Sequence, residues 1–170
     1  MARGFLLVRA IDRTLVDEVW RGMSAYAPAR VASEAQVFLE EQPHAAAFSQ
    51  GVTGGFDLVV QKAALGLVFL LFKVLEASLG RPFPLLAEER ILAAYAETQG
   101  WLAERDGTAP AELLEALEHG EHPSLPAYIL SVFYEGGAEA GDYDAAVRAS
   151  LFCLLKTLTD ALDLGHVEEA

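Results

Sequence analysis

The stretch that decides the fold is FDLVVQKAALGLVFLLFKVLEASLG, from Phe56 to Gly80. It has the length of a helix, and no proline interrupts it before Gly80 and Pro82 end it. At 100° per residue Lys62 and Lys73 fall on one side, but the middle of that side is also apolar, with Leu65, Phe69 and Phe72. A helix that is apolar all round is typical of a protein interior or a membrane. Because the two lysines bracket fewer uncharged residues than the roughly 20 that a bilayer span needs, the pattern predicts a buried core helix.

A second apolar stretch, DYDAAVRASLFCLLKTLTDALDLG from Asp142 to Gly165, resembles the first. In each half a proline-started short segment precedes the long one, so that Pro43 matches Pro123 and Lys73 matches Lys156. The second stretch has an ordinary polar stripe, and we therefore expect the first to be the more buried of the two. The pattern predicts a pseudo-twofold internal repeat, with units at about 30–80 and 110–165 and the helix at about 85–104 as a connector.

The rest of the chain reads as helices separated by glycine and proline turns. The prediction is an all-α compact bundle of about seven helices in a single domain, 1–170, with residues 1–10 as a short strand or an N-terminal arm. Ser33 and Gln36 have the spacing of a capping box, although a helix could start as early as Pro28. Asp142 or Asp144 is expected to cap the last long helix.

Composition and charge narrow the range of functions that this chain could have. The chain has 170 residues and a formal net charge of −13, which disfavours nucleic acid as a partner. Cys153 is the only cysteine, and its apolar neighbours predict a packed core thiol. The apolar run at residues 5–8 is too short for a signal peptide, so we expect a cytoplasmic protein.

One cluster of residues suggests a divalent metal. His119 and His122 are three residues apart, and carboxylates adjoin them at Glu115 and Glu118. Imidazole and carboxylate ligands suit zinc or iron. Gly120 and Pro123, however, predict that the helix stops between the two histidines. A solvated acidic helix end is therefore the alternative to a metal site.

Two lysines in the apolar stretches, Lys73 and Lys156, could have chemical roles, because apolar surroundings favour a neutral amine. The alternative that we favour is an ion pair one turn on, with Glu76 and Asp160 respectively. No Gly-x-Ser-x-Gly elbow and no phosphate-binding glycine loop is present in the sequence.

The N-terminal region is basic on an otherwise acidic chain. We expect its arginines and a tryptophan either to dock an acidic partner or second subunit, or to pair with the protein's own acidic helices. The candidate interaction residues are Arg3, Arg9, Arg13, Arg21 and Trp20.

The functional hypothesis is a non-enzymatic helical interaction or adaptor domain that binds a protein partner or self-associates through apolar residues left over from the bundle. No cofactor is expected under it. The first alternative is a metal-binding protein or metal-dependent enzyme that uses the histidine cluster. The second is peripheral membrane association, which the acidic surface disfavours.

Overall fold

The computed structural model describes residues 11–104, 125–135 and 143–162, and every regular element in these ranges is a helix. The seven helices are α1 (Arg13–Ser24), α2 (Pro28–Glu41), α3 (Pro43–Thr53), α4 (Leu58–Leu79), α5 (Glu88–Ala103), α6 (Leu125–Glu135) and α7 (Ala145–Leu162). The predicted all-α bundle is confirmed.

Aspartates begin three of the helices. The side chains of Asp12, Asp57 and Asp144 each accept a hydrogen bond from the backbone N–H three residues on, at 2.9, 3.1 and 3.0 Å. Such caps satisfy an N–H that the helix leaves unpaired, and each contributes about 1 kcal/mol. Of the two predicted caps for the last long helix, Asp144 is the one that forms.

Prolines begin α2 and α3. Pro28 and Pro43 occupy the first turn, where a missing N–H costs nothing. The capping box predicted at Ser33 is wrong, because α2 has already begun at Pro28 and Ser33 lies inside it.

Two long helices, α4 and α7, form the centre of the core. α4 packs against α1, α3, α6 and α7, and α7 packs against α3, α4, α5 and α6. Between them they supply most of the largest fully buried side chains, including Leu67, Leu70, Leu71, Leu75, Leu151, Leu154, Leu155 and Leu158. Burial of a leucine contributes about 1.5–3 kcal/mol, so the buried leucines of α4 and α7 account for much of the hydrophobic stabilisation.

The prediction that α4 is the more buried long helix is wrong. α4 leaves five residues exposed, namely Leu58, Val59, Lys62, Gly66 and Ala77, whereas the described side chains of α7 include only two exposed ones, Ala146 and Asp160. The reason lies in α2, which runs beside this face of α4 but has its main helix contacts with α3. One apolar face of the most apolar helix is therefore only partly covered.

Helix contacts correspond in the two halves of the chain. α1 packs against α4 and α6, and α5 packs against α7 and α3. α3 contacts α4 and α7, and α6 contacts α7 and α4. Exchanging α1, α3 and α4 with α5, α6 and α7 leaves this set of contacts unchanged. In this set of contacts α5 has the place that α1 has in the other half, and the role of α5 as a connector between repeats stays a prediction. The sequence repeat stays a prediction, since its second unit includes residues 105–124, which lie outside the described ranges.

Aromatic pairs occupy two corresponding interfaces. Trp20 of α1 meets Phe133 of α6 edge to face, with ring centroids 6.3 Å apart. Phe48 of α3 meets Tyr95 of α5 in the same manner at 5.3 Å. Such pairs contribute about 0.5–1.5 kcal/mol beyond the area they bury. Here one pair joins α1 to α6 and the other joins α5 to α3.

Gly80 ends α4 in a left-handed conformation, with φ of 69°. A Cβ there costs about 1–2 kcal/mol, and we expect Gly80→Ala to lower the free energy of unfolding by that amount. Gly100, within α5, has open space where a Cβ would stand. Gly100→Ala should therefore raise the free energy of unfolding by up to about 1 kcal/mol. Urea unfolding followed by circular dichroism measures both. Equal shifts for the two variants would contradict the assigned end of α4.

Candidate interaction groove

An apolar groove of about 280 Å³ lies where α4 is uncovered. Its floor is the exposed side of α4, and its walls come from α2 and from the end of α1. The groove is lined by Met23, Tyr26, Val31, Ala35, Phe38, Lys62, Leu65, Gly66 and Phe69. All of these except Lys62 are apolar or aromatic. We call this the α2–α4 groove.

Sequence spacing explains why these residues share one groove. Lys62, Leu65, Gly66 and Phe69 fall at i, i+3, i+4 and i+7 of α4, which is one face of a helix. The α2 wall has the same i, i+4, i+7 spacing in Val31, Ala35 and Phe38. Two amphipathic stripes face the same space.

Apolar surface continues beyond the groove. Leu58 precedes Lys62 by four residues on the same face of α4, and it is 61% exposed. Its neighbour Val59 is 54% exposed, and Val31 on the α2 wall is 49% exposed. From Leu58 to Phe69 the stripe rises about 16 Å, or three helical turns. A contiguous exposed apolar surface of this kind marks interaction sites on soluble proteins.

Phe38 packs α2 against α4. It is the only buried residue of the 14 in α2. Its ring lies 5.5 Å from the ring of Phe69 and 5.5 Å from that of Phe72. This aromatic contact lies between two grooves. A second groove, of about 270 Å³, lies between the later turns of the same helices.

The second groove is more polar than the first. Alongside Phe38, Phe69 and Phe72 it is lined by the charged residues Glu34, Glu41, Lys73 and Glu76. Lys73 and Glu76 form an ion pair with each other at 3.7 Å. The α2–α4 groove therefore offers the larger apolar contact.

Gln42, between α2 and α3, fixes the far end of α2. Its side chain is 3% exposed, and its amide Nε2 donates to the carbonyl oxygens of Phe83 at 3.3 Å and Pro84 at 2.9 Å. Its Oε1 accepts from the backbone N–H of Leu86 at 3.0 Å. Phe83 in turn packs edge to face on Phe72, with centroids 5.9 Å apart. The segment before α5 is thus joined to the aromatic cluster beside the grooves, and α5 begins at Glu88, later than predicted.

Gly66 lies in the groove floor and is exposed. A Cβ built on it would meet nothing within 4 Å, so no contact among the described residues requires a glycine there. A glycine inside a helix is less stable than alanine by about 1 kcal/mol. A residue without a side chain does, however, let another backbone approach the helix closely. Gly66 therefore leaves open space in the groove floor.

The predicted metal ligands Glu115, Glu118, His119 and His122 lie outside the described residues. Within the described ranges no group of three or more histidine, cysteine, aspartate or glutamate side chains is placed to hold a metal ion. The metal site stays a prediction.

The predicted N-terminal interaction residues have different surroundings. Arg3 and Arg9 lie outside the described ranges. Arg21 is 78% exposed and pairs with Asp17 at 2.9 Å, which matches the alternative of pairing with the protein's own acidic groups. Trp20 is half-buried against the core and contacts Phe133. Arg13 also has a partner within the protein. The docking role of this region stays a prediction.

Both apolar-stretch lysines have the carboxylate partners expected of them. Lys73 pairs with Glu76, and Lys156 pairs with Asp160. Each ammonium also lies over an aromatic ring, Lys73 over Phe69 at 5.3 Å and Lys156 over Trp101 at 5.2 Å. The predicted ion pairs are therefore confirmed.

Cys153 is a core thiol, as predicted. It is free and buried in α7, and burial raises the pKa of its thiol above the ordinary value. The Thr157 hydroxyl and the charge of Lys156 act in the opposite direction on this pKa and are smaller effects. Since the thiolate is the reactive form, this environment disfavours reactivity.

α4 is the one helix among the described residues that is long and apolar enough to cross a membrane, with 22 residues and a hydropathy of 2.1 in its most apolar window. Half of that window is buried inside the protein. Core helices of soluble proteins have the same length and composition.

No protein-family model, no curated protein and no solved structure matches this chain. The functional argument therefore rests on the residues and their geometry.

Proposed function

We propose that this protein is a non-enzymatic interaction domain that holds an apolar helix of a protein partner in the α2–α4 groove. The observation that carries the proposal is an open apolar groove whose floor contains an exposed helical glycine that no contact among the described residues requires. Helix-in-groove recognition uses this geometry, with apolar anchors of the partner at i, i+3, i+4 and i+7.

A helix fits the dimensions of the surface. The stripe from Leu58 to Phe69 is about three turns long, which a partner segment of about 11 residues would cover. Packed helices approach to about 8–10 Å between axes, and the closest approaches need small residues at the contact. Gly66 and Ala35 face the groove from its floor and from its wall. The partner helix would complete a three-helix contact with α2 and α4.

A foreign helix suits the charge of this protein better than a second copy. Each chain has a net charge of −13, so two copies repel each other before any apolar surface meets. Self-association would have to overcome that repulsion.

The test uses a displayed library of about 16-residue peptides, long enough to form isolated helices. Peptides enriched on the wild-type protein are assayed by fluorescence polarisation against Gly66→Phe and Gly100→Phe. Both sites are exposed helical glycines with open space around them, but only Gly66 lies in the groove. We expect apolar residues at helical spacing in the peptides, and binding at least about tenfold weaker for Gly66→Phe with no loss for Gly100→Phe.

Several results would overturn the proposal. One is undiminished peptide binding by the Gly66→Phe variant. Another is a dimer of the wild-type protein that dissociates on the same substitution, since it would make a second copy the occupant. Sedimentation with phosphatidylcholine vesicles that Gly66→Phe abolishes would assign the groove to lipid.

A further inference from the structure

Lys62 is the one charged side chain that lines the α2–α4 groove. It is exposed, and no acidic partner for it exists among the described residues. The chain has two other lysines in its helices, Lys73 and Lys156, and each is paired with a carboxylate on the next turn. Lys62 is therefore the lysine whose partner among the 25 acidic residues of the chain is not found in the described ranges.

The position of Lys62 places it under any helix that covers the groove. It follows Leu58 by one turn and precedes Gly66 by one turn on the same face of α4. A helix that packs on both Leu58 and Gly66 lies across the stem of Lys62 and takes away part of the water around its ammonium. Removing water from an unpaired charge is costly, whereas a hydrogen-bonded opposite charge offsets that cost.

We propose that the partner helix carries an aspartate or glutamate that pairs with Lys62. The acidic residue lies one turn from the apolar residue that packs on Gly66. This inference rests on the proposed function and adds the chemistry of the partner to it. The carboxylate fixes the direction and register of the helix in a groove that is otherwise apolar, since charge complementarity supplies specificity more than affinity.

The surrounding charge supports this assignment. The net negative charge of the protein repels acidic partners, so a carboxylate on a partner gains binding energy only beside a local cation that is unpaired. Arg30 on α2 lies over the ring of Tyr26, which lines the groove, but it already pairs with Glu34 at 3.4 Å. Among the described residues in and beside this groove, Lys62 is thus the cation without a carboxylate partner.

The experiment exchanges charges across the interface. Peptides enriched on the wild-type protein are synthesised in pairs, with each acidic residue kept or replaced by lysine, and measured against wild type and Lys62→Glu. Arg90 lies at an exposed position of α5, away from the groove. Arg90→Glu changes the net charge by the same amount and serves as the control. We expect Lys62→Glu to bind the acidic peptide at least about tenfold more weakly, and to bind one lysine-bearing peptide better than wild type does. Arg90→Glu should bind the acidic peptide as wild type does.

Two results would overturn the carboxylate assignment. The first is acidic-peptide binding that Lys62→Glu leaves unchanged although Gly66→Phe abolishes it. That result would support the groove as the binding site of the helix, and it would rule out only the pairing of Lys62 with an acidic residue of the partner. The second is tight binding of dodecanoate that Lys62→Glu abolishes while no peptide binds, which would place the carboxylate on a lipid.

Discussion

Leu70→Asp is expected to unfold the protein. Leu70 lies at the centre of α4 and is 0% exposed, within the layer shared with α7. The substitution removes a buried leucine, at about 2–5 kcal/mol, and adds a carboxylate at a fully buried position, while the cation one turn on, Lys73, already pairs with Glu76. A fully buried carboxyl resists ionisation by several pKa units, and each unit costs about 1.4 kcal/mol at neutral pH. The sum is comparable with the entire stability of an ordinary domain, about 5–15 kcal/mol.

Circular dichroism at 25 °C measures the loss of helix, and Leu92→Asp provides the matched control. Leu92 is also a helical leucine, in α5, but it is 55% exposed. The control makes the same change of residue type and charge without removing a buried group, so we expect its stability to change by about 0.5 kcal/mol. A folded Leu70→Asp protein with a cooperative thermal transition would mean that α4 does not form the core.

Helical periodicity predicted the core of this fold well because burial dominates the choice of residues there. The long apolar stretches became α4 and α7, and the aspartates and prolines at the helix starts act locally, through a single hydrogen bond or a fixed φ. The Ser33 capping box failed for the same local reason. A proline at the first turn of α2 had already begun the helix, and the two signals compete.

The α2–α4 groove could not be predicted from periodicity. The sequence of α4 is apolar all round at its centre, and that pattern is the same whether a neighbouring helix closes on it or is held away. The position of α2, whose one buried residue, Phe38, packs on Phe69 and Phe72, leaves the groove open. Gly66 was not singled out in the sequence, although a glycine inside a helix is less stable than alanine by about 1 kcal/mol.

The role of Gln42 could not be predicted from the sequence either. A lone glutamine before Pro43 reads as a solvent-exposed linker residue, since glutamine is mostly exposed in proteins. Only the path of residues 83–86 brings three backbone groups to its amide. Contacts between residues more than 40 positions apart leave no local pattern in the sequence.

Gln42→Ala is expected to lower the free energy of unfolding by about 3–5 kcal/mol. The substitution leaves the buried N–H of Leu86 and the carbonyl of Phe83 without their partner, at about 1–3 kcal/mol each, and opens a small cavity. Urea unfolding measures the loss. Hydrogen exchange at the Leu86 amide should quicken more than exchange at amides in the middle of α7.

Gln36→Ala is the matched control, because Gln36 lies in α2, the helix that Gln42 follows, and is exposed, with a hydrogen bond to Glu40 only. We expect a change of about 0.5 kcal/mol or less. Gln42→Glu separates hydrogen bonding from packing, since it keeps the shape and the acceptor for Leu86 but sets an oxygen against the carbonyls of Phe83 and Pro84. At pH 7 it should be as unstable as Gln42→Ala. Wild-type stability in Gln42→Glu would show that the two donated hydrogen bonds do not hold this segment, and packing of Phe83 on Phe72 would then be what joins it to the core.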